Sequence, residues 1–435
     1  MSRFESGLLP IEAGTIRKLR IRILPFVFLL FVIAQLDRNN IGFAALTMNR
    51  DLAITSQQFG LIFGIFFFGY FIFEIPSNLL LHKIGARVWI ARILISWGIA
   101  AMLTGFVQTV HQLYVVRFLL GLAEAGYFPG IVLYLTYWFP QREQARAFAL
   151  LVAANPVMTI LGSPVSGLIL DHVHWLGVSS WRWLLILEGI PAIVFGFLTY
   201  FVLPGRPHEA KFLTAEEKER IQAELGREEQ QKLGQRRYSA LQALASGRVW
   251  HLVLIYLGMM TGYYTLQSWS PQLLRSLSSG YSNTSIGLLV MIPSLVGLPA
   301  MILVSRSSDR GLERRYHVAI PAVMGAVALV LLGTTRSPFY STALLCLLAV
   351  GVLSSLGPFW ALPGEFLAGF SAAAGIALIN SVGNLGGFAG PYMIGTIAVR
   401  TGSLYAGLAI AGVPLLLAAT LALLLPRRAR GHMGY

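Results

Sequence analysis

The sequence predicts an all-α membrane protein with twelve transmembrane helices, arranged as two pseudo-symmetric halves of six helices. Three observations lead to this fold class. Hydrophobic residues make up 56% of the 435 residues and charged residues only 12%, whereas soluble domains carry about a quarter charged residues. The apolar residues fall in runs long enough to cross a bilayer, which takes about 20 residues. One long polar stretch, 204–248, divides these runs into two sets of six.

Polar residues separate the apolar runs from each other and give the approximate bounds of each predicted helix. The twelve segments lie at about 23–47, 57–81, 88–109, 112–139, 144–170, 181–203, 249–275, 284–305, 316–335, 338–364, 371–399 and 403–425. We number them spans 1 to 12. The first segment is of spanning length, longer than the apolar core of a signal peptide, so we expect it to remain as span 1.

Basic residues alternate between the short loops, which predicts the orientation of the chain in the membrane. The loops after spans 2, 4 and 8 contain Lys83, Arg87, Arg92, Arg142, Arg146, Arg306, Arg310, Arg314 and Arg315. The loop after span 1 contains only Arg50. Short loops rich in Lys and Arg stay in the cytoplasm. We therefore expect both termini to be cytoplasmic, and Arg427, Arg428 and Arg430 near the C-terminus agree with this.

The same distribution excludes several classes of function. A net charge of +14 is spread over loops and is not gathered on one face, so nucleic acid is not an expected partner. With a single cysteine, Cys346, neither a disulfide framework nor a thiolate metal site is expected. The sequence has no nucleophile motif or phosphate-binding loop, so neither an enzyme nor a nucleotide-driven pump is expected. A non-transporting sensor would need a large soluble domain, which the sequence does not contain.

The polar stretch in the middle predicts a linker between two domains. We expect the first half at 1–204, a cytoplasmic linker at 205–248 and the second half at 249–435. Within the linker, Thr214 is followed three residues later by Glu217, which is the pattern of a capping box at the start of a short amphipathic helix. Basic, glycine-containing turns follow span 2, at 82–87, and span 8, at 308–315, which indicates that the two halves are repeats.

Two pairs of acidic and basic residues inside the predicted spans of the first half are the leading functional candidates. Asp37 and Arg38 lie in span 1, and Arg117 and Glu124 lie seven residues apart on one face of span 4. Charged residues at membrane depth usually face a bundle interior or a water-filled cavity and mark functional sites. We expect all four to face one aqueous cavity between the helices. The alternative is that they form ion pairs that only fix helix packing.

The chemistry of these residues favours the uptake of an anion together with a proton. Arginine stays charged and presents a planar fork that matches a carboxylate, while carboxyl groups in a low dielectric retain protons more readily. Glu74 is a third acid, for which a structural and a coupling role are equally plausible. Further candidates for substrate contacts are polar residues near Gly and Pro in the spans: Asn155, Tyr264, Gln267, Trp360, Asn380 and Asn384. For these, hydrogen bonding between helices is the alternative.

Four stretches resemble one family of carriers. They are LDRNNIGFAAL at 36–46, GYFIFEIPSNLLLHKIGARVWIAR at 69–92, RFLLGLAEAGYFPG at 117–130 and YWFP at 137–140. Together with the two halves and the paired turns, they are similar to the anion:cation symporter family of the major facilitator superfamily. That family includes bacterial carriers for tartrate, sugar acids and aromatic acids. The resemblance implies the major facilitator fold and the transport of organic anions.

The resemblance also implies roles for individual residues. Asp37 and Glu124 match the family's protonation pair, and Arg38 matches its substrate-binding arginine. Arg117 matches the partner of the helix 4 glutamate, and Tyr70 matches a tyrosine that lines the cavity. The paired turns imply a cytoplasmic gate formed by Lys83, Gly85, Arg87, Asp309 and Arg310. One departure is that His82 and Lys83 stand where the superfamily usually has an Asp-Arg pair, which weakens the expected latch in the first half.

These observations together predict a secondary carrier. We expect proton-coupled symport of a small organic anion across the bacterial cytoplasmic (inner) membrane, by alternating access of a monomer embedded in the lipid bilayer, with the proton as coupling ion and no cofactor. Gln35 stands near where the sugar-acid carriers have an aromatic hydroxyl, so a hydroxy-dicarboxylate such as tartrate is favoured. A sugar acid or an aromatic carboxylate is the alternative substrate, and anion exchange or sodium coupling is the alternative mechanism.

Overall fold

The computed structural model describes residues 13–234, 245–278, 280–366 and 370–425, and their regular secondary structure is helical. The predicted C-terminal cluster of Arg427, Arg428 and Arg430 lies outside the described residues, as does part of the linker. The residue bounds predicted for the two halves and the linker therefore stay a prediction.

All twelve predicted spans correspond to helices, and most bounds agree within a few residues. Spans 1 to 6 are Ala13–Asp51, Ser56–Ile84, Ala86–Thr104, Val110–Thr136, Gln141–His172 and Ser180–Val202. Spans 7 to 10 are Gly247–Leu277, Asn283–Gly311, Arg315–Leu332 and Pro338–Phe366. Span 11 consists of Phe370–Gly383 and Gly386–Thr401, and span 12 is Leu404–Leu424. Span 1 begins about ten residues earlier than expected, because its basic start continues the helix beyond the apolar run.

Two of the spans are interrupted near mid-membrane. Span 4 breaks after Glu124, where Gly126 adopts a left-handed conformation with φ +83°, which glycine adopts without a steric cost. Span 11 breaks between its two helices, each shorter than 18 residues. Eleven helical segments in the described residues are long and apolar enough to cross a membrane, with spans 4 and 12 each counted as one segment. The two parts of span 11 together make the twelfth span.

The helices pack as two groups that meet along two main seams. In the first half, span 3 packs on span 6 and span 2 on span 4, while in the second half span 10 packs on spans 8 and 9. Span 2 meets span 11, and span 5 meets span 8. At these seams a Cβ on Gly60 would lie 2.3 Å from the Pro391 carbonyl oxygen, and one on Gly287 would lie 2.3 Å from that of Ser163. Side chains at these glycines would therefore push the halves apart.

The two ends of the helix bundle differ in how the halves meet. We call the end that holds the start of span 1 and the linker the linker face, and the opposite end the distal face. On the distal face, the Asp171 carboxylate at the end of span 5 accepts hydrogen bonds from the backbone and side chain of both Asn283 and Thr284, at 2.7 to 2.9 Å. These residues begin span 8, so a carboxylate of one half caps a helix of the other. This contact joins the two halves on the distal face.

The described part of the linker packs on the first half. Its helix Ala215–Gly234 begins with the predicted capping box, since the Glu217 amide donates to Thr214 Oγ1 at 3.2 Å and the Thr214 amide donates to Glu217 Oε2 at 2.9 Å. Glu217 also pairs with Lys18 of span 1 at 2.7 Å, and Arg142 of span 5 pairs with Glu224 at 3.3 Å. The prediction of a capped linker helix is confirmed.

Candidate functional site

A small cavity of about 80 Å³ lies between the halves at mid-depth. Its polar and aromatic lining residues come from spans 1, 2, 4, 5, 7, 10 and 11. They are Phe31, Gln35, Arg38, Tyr70, Glu124, Tyr127, Phe128, Asn155, Tyr256, Tyr263, Tyr264, Trp360, Asn380 and Asn384.

An ion pair between Arg38 and Glu124 lies in the wall of this cavity. Glu124 is the last residue of the helix Val110–Glu124, which places its carboxylate at the break in span 4. The Glu124 side chain is 1% exposed and that of Arg38 is 12% exposed. Arg38 Nη2 donates to Glu124 Oε1, and Arg38 Nη1 donates to the Tyr264 hydroxyl at 3.3 Å. The guanidinium therefore connects a carboxylate of its own half with the facing half.

Arg117 does not pair with Glu124, contrary to the expectation from the family resemblance. Its Nε donates to the Ile62 carbonyl oxygen at 3.4 Å, and it does not line the cavity. Seven residues of α-helix place Arg117 about 10.5 Å from Glu124 along span 4, whereas Arg38 approaches Glu124 from another helix. Arg117 and Arg38 each lie 5.3 Å from the centroid of the Phe66 ring, so one aromatic ring contacts both guanidinium groups.

Asp37 is also displaced from the cavity, which corrects the expectation that all four charged residues face it. Consecutive residues on an α-helix point about 100° apart, so Asp37 turns away from the cavity when Arg38 turns toward it. Asp37 is 1% exposed, and Trp97 Nε1 donates to its Oδ2 at 2.7 Å. The Trp97 ring packs edge-on against Tyr127, which lines the cavity, with centroids 4.9 Å apart. Asp37 therefore binds an indole that packs against the cavity wall, and it does not itself line the cavity.

The second half continues the hydrogen-bond chain that begins at Glu124. The Tyr264 hydroxyl donates to Asn384 Oδ1 at 3.2 Å, and Asn384 Nδ2 donates to the Asn380 carbonyl oxygen at 2.9 Å and to Asn380 Oδ1 at 3.1 Å. Asn380 and Asn384 share one face of the helix, as their spacing predicts. A polar chain thus runs from Glu124 through Arg38, Tyr264 and Asn384 to Asn380 across the cavity.

Glu74 connects the two halves beside this chain. It is 3% exposed and accepts hydrogen bonds from Asn380 Nδ2 at 3.0 Å and from Ser381 Oγ. Tyr70, one turn earlier in span 2, lines the cavity, and Arg38 lies 5.4 Å from the centroid of its ring. In this conformation Glu74 joins span 2 to span 11.

The remaining candidates for substrate contacts lie in different surroundings. Asn155 lines the cavity, and its Nδ2 donates to the Val152 carbonyl oxygen at 3.1 Å. Gln267 does not line the cavity, and instead its amide donates to Thr159 Oγ1 at 3.3 Å and to the Tyr263 hydroxyl at 3.1 Å. Gln267 therefore connects spans 5 and 7, which is the alternative of hydrogen bonding between helices. Trp360 forms part of the cavity wall.

The residues predicted to form a gate lie on the linker face. Gly85 has φ +96° at the turn between spans 2 and 3. Arg87 pairs with Glu209 of the linker at 3.2 Å, and Asp309 pairs with Arg314 of its own half at 2.6 Å. The other two, Lys83 and Arg310, are exposed. These contacts run within one half or to the linker, so a gate between the halves stays a prediction.

One buried acid was missed at the level of the sequence. Glu188 in span 6 is 3% exposed and accepts a hydrogen bond from Ser166 Oγ at 2.7 Å. The sequence could have identified Glu188, because it is a carboxyl group inside an apolar run, as Asp37 is.

Within the part of the chain that the structure describes, no group of three or more His, Cys, Asp and Glu side chains is placed to hold a metal ion.

Comparisons with known proteins agree with this architecture. The Major Facilitator Superfamily pattern matches residues 27–391. The chain belongs to this superfamily. It is 46% identical over 417 residues to a protein of Agrobacterium vitis named "Putative tartrate transporter", covering 96% of this chain and 92% of the relative. It is 39% identical over 397 residues to a quinolone resistance transporter of Acinetobacter baumannii, covering 91% of each.

A solved structure has the same fold. A bacterial homologue of the human lysosomal transporter Spinster, in an inward-facing and occupied conformation, aligns with a TM-score of 0.74 at 15% identity, over 93% of this chain and 96% of that one. The chain is therefore a multi-pass membrane protein of the major facilitator fold. It is a transporter of small organic substrates and not an enzyme.

Proposed function

We propose that the protein carries a small organic anion together with a proton across the bacterial cytoplasmic (inner) membrane. The observation that supports this most directly is the ion pair of Arg38 and Glu124 in the cavity wall. The carrier needs no cofactor, since the proton is its coupling ion. Because one chain builds the whole cavity, a monomer is sufficient for transport.

The geometry of the ion pair supports coupling between substrate and proton. The guanidinium of Arg38 binds Glu124 in this structure, and a substrate carboxylate would compete for the same donors. When Glu124 takes up a proton, its negative charge is lost and Arg38 becomes available to the substrate. Binding of the anion therefore favours protonation of Glu124, and protonation favours binding of the anion, as linked equilibria require.

Alternating access then moves both species across the membrane. Asp171 holds the distal face closed, and rocking of the two halves around the central site would open it. The basic loops at Lys83, Arg87, Arg142 and Arg310 lie at the linker face, so the positive-inside rule supports a cytoplasmic linker face with both termini inside.

A hydroxy-dicarboxylate such as tartrate is the favoured substrate. A relative 46% identical over nearly the whole chain is named "Putative tartrate transporter". Arg38 would bind one carboxylate, while Asn155, Asn380 and Tyr264 bring amide and hydroxyl groups to the cavity for the hydroxyls of the substrate. Hydrogen-bonding groups of this kind discriminate strongly against analogues that lack the matching hydroxyls.

An aromatic carboxylate is the second candidate, because the wall from the second half is largely aromatic. Tyr256 and Trp360 pack edge-on with ring centroids 4.9 Å apart, and Tyr263 and Tyr264 do the same at 5.0 Å. Such rings favour offset or edge-on packing with another ring. A relative 39% identical to this chain is named a quinolone resistance transporter, and quinolones contain a fused aromatic ring system.

The test is uptake by purified protein in proteoliposomes, with Asp37→Asn and Glu124→Gln as variants. We expect a pH gradient, and not a sodium gradient, to drive wild-type accumulation of labelled tartrate. Glu124→Gln should lose accumulation and retain counterflow exchange, because a glutamine leaves Arg38 free but carries no proton. Asp37→Asn should also lose accumulation. The same liposomes, loaded with a panel that includes an aromatic carboxylate, would identify the substrate class.

Two outcomes would contradict this mechanism. If both variants still concentrate substrate against a gradient, these carboxyl groups do not couple transport to protons. If wild-type uptake follows an imposed sodium gradient or requires an internal anion, the protein is a sodium-coupled carrier or an exchanger.

A further inference from the structure

Glu188 in span 6 is a buried carboxyl group that the mechanism above does not use. It is 3% exposed, and Ser166 Oγ of span 5 donates to its Oε1 at 2.7 Å. Its second oxygen, Oε2, has no hydrogen-bond partner within the described residues. Leaving an acceptor of a buried charged group without a partner is costly. A carboxyl group that holds a proton at this oxygen avoids that cost.

The neighbours of Glu188 lead toward Asp37. Asn40, which is 2% exposed, lies one turn beyond Asp37 in span 1 and faces the Glu188 carboxyl group, although its Nδ2 makes no hydrogen bond of normal geometry in the described structure. The carboxyl groups of Asp37 and Glu188 are close enough to interact electrostatically. Asp37 Oδ1 also has no hydrogen-bond partner among the described residues. Glu188 and Asp37 thus each have one carboxyl oxygen without a hydrogen-bond partner among the described residues, and the Asn40 side-chain amide lies between the two groups.

The charged groups around Glu188 do not neutralise it. Span 6 packs on spans 1, 3 and 5. From span 1 the nearby ionisable group is Asp37, which is itself acidic, and span 3 contributes the Trp97 indole. The Glu124 carboxyl and the Arg117 guanidinium of span 4 interact with Asp37. A buried carboxylate without a positively charged partner is costly, so the uncharged form of Glu188 is favoured.

Ionisable groups nearer the distal face are engaged elsewhere. Arg182 of span 6 donates to the carbonyl oxygens of Gly105 and Val107, at 3.0 and 2.5 Å. Asp51 of span 1 accepts from the Trp181 indole at 3.0 Å, and Asp171 of span 5 binds the start of span 8. None of these contacts brings a positive charge to Glu188.

Glu188 and Asp37 lie at different distances from the distal face. Glu188 lies eight residues inside the distal end of span 6 at Ser180, and Asp37 lies fourteen residues inside the distal end of span 1 at Asp51. At about 1.5 Å per residue these depths are about 12 Å and about 21 Å. Glu188 therefore lies between the distal face and Asp37, which is at the level of the cavity.

We propose that Glu188 relays the coupling proton between the distal face and Asp37, through the interior of the first half and apart from the substrate cavity. In the relay step the proton leaves Glu188 Oε2 and passes along hydrogen-bonded water molecules, across the roughly 9 Å of depth between the two groups, to Asp37 Oδ1. Glu188 becomes ionised as Asp37 becomes neutral. The total charge of the pair is unchanged. Ser166 and Asn40 then stabilise the transient carboxylate of Glu188. The inference rests on the proposed proton coupling.

The test replaces Glu188 by glutamine, which has the same shape and keeps the acceptor for Ser166 but cannot release a proton. We expect Glu188→Gln to slow accumulation driven by a pH gradient by at least about tenfold, in the range of a lost proton-transfer group. Counterflow exchange should stay within about twofold of wild type, because no net proton movement is needed. Thr199→Val is the matched control, since Thr199 is buried in the same span and donates only to the Phe195 carbonyl oxygen of its own helix at 2.7 Å.

A second measurement reads the proton directly. Infrared difference spectra of the purified protein should contain the C=O band of a protonated carboxyl group that Glu188→Gln removes and Thr199→Val retains. Wild-type accumulation that ignores a pH gradient would overturn the proposed function together with the relay. If wild-type accumulation follows the pH gradient but Glu188→Gln behaves as wild type, or if the band persists in that variant, the relay alone is wrong.

Discussion

At the scale of single residues, the site depends on what a guanidinium can do and an ammonium cannot. Arg38 uses Nη2 for Glu124 and Nη1 for Tyr264, and its plane lies near the rings of Phe66 and Tyr70. A planar fork with several fixed donors can hold two partners in different directions while it contacts aromatic rings. This explains how one side chain can join the acid of the first half to the polar chain of the second.

Arg38→Lys should therefore weaken substrate binding even though the charge is kept. We expect the dissociation constant to rise by at least about tenfold, equivalent to about 1.4 kcal/mol, because an ammonium cannot reproduce the two directed donors. Isothermal titration or a thermal-shift series with tartrate measures this effect. Arg92→Lys is the control. The Arg92 guanidinium lies 3.8 Å from the centroid of the Trp89 ring, and Arg92 does not line the cavity. Equal affinity of Arg38→Lys and wild type would exclude Arg38 from the binding site.

At the scale of elements, the close packing of spans 2 and 4 positions the ion pair. Span 4 ends its first helix at Glu124, and three residues earlier Gly121 lies against the backbone of span 2. A Cβ at Gly121 would lie 2.0 Å from the Phe66 carbonyl oxygen and 2.9 Å from the Tyr70 nitrogen. Contacts this close between helix backbones need glycine. They fix the depth at which Glu124 meets Arg38.

Gly121→Ala should accordingly destabilise the protein. We expect a loss of about 1–3 kcal/mol from overpacking, because backbone atoms cannot move aside as a flexible side chain can. Thermal unfolding of the purified protein in detergent would record a lower midpoint. The matched control is Gly247→Ala at the start of span 7, where nothing lies within 4 Å of an added Cβ. An unchanged midpoint for Gly121→Ala would contradict the close approach of spans 2 and 4.

At the scale of the whole molecule, the contacts between the halves decide which side of the cavity is closed. Asp171 accepts four hydrogen bonds from the first residues of span 8, whose positive helix end adds a favourable interaction with the carboxylate. At mid-depth, Arg38 with Tyr264 and Glu74 with Asn380 also join the halves. Opening the distal face must break the Asp171 contacts, so they influence the equilibrium between conformations.

Asp171→Ala should shift the protein toward a conformation open at the distal face. With Cys346 replaced by serine, spin labels at Leu176→Cys and Tyr281→Cys, which are 89% and 50% exposed, report the distance between the halves. We expect longer distances to gain population in pulsed electron resonance measurements. Asp51→Ala is the control, because Asp51 binds Trp181 within its own half. Identical distance distributions for Asp171→Ala and the unmutated pair would show that Asp171 does not hold this face closed.

Much of the fold is predictable because membrane insertion depends on local composition. The twelve spans, their grouping and the capped helix at Thr214 follow from apolar run length, loop charge and cap residues, and each is read within a few neighbouring positions. The position of the break in span 11, between Gly383 and Gly386, required the structure.

For the buried charged residues Asp37, Arg38, Glu124 and Glu188, the sequence determined less and the structure determined more. The sequence by itself determined that buried acids and arginines exist in the first half, since an ionisable residue in an apolar run is visible without coordinates. Only the tertiary structure decided that Arg38, and not Arg117, pairs with Glu124, and that Asp37 turns from the cavity toward Trp97. The physical reason is that partners of a buried charge are chosen by the rotation and depth of helices distant in the chain, which no local pattern contains.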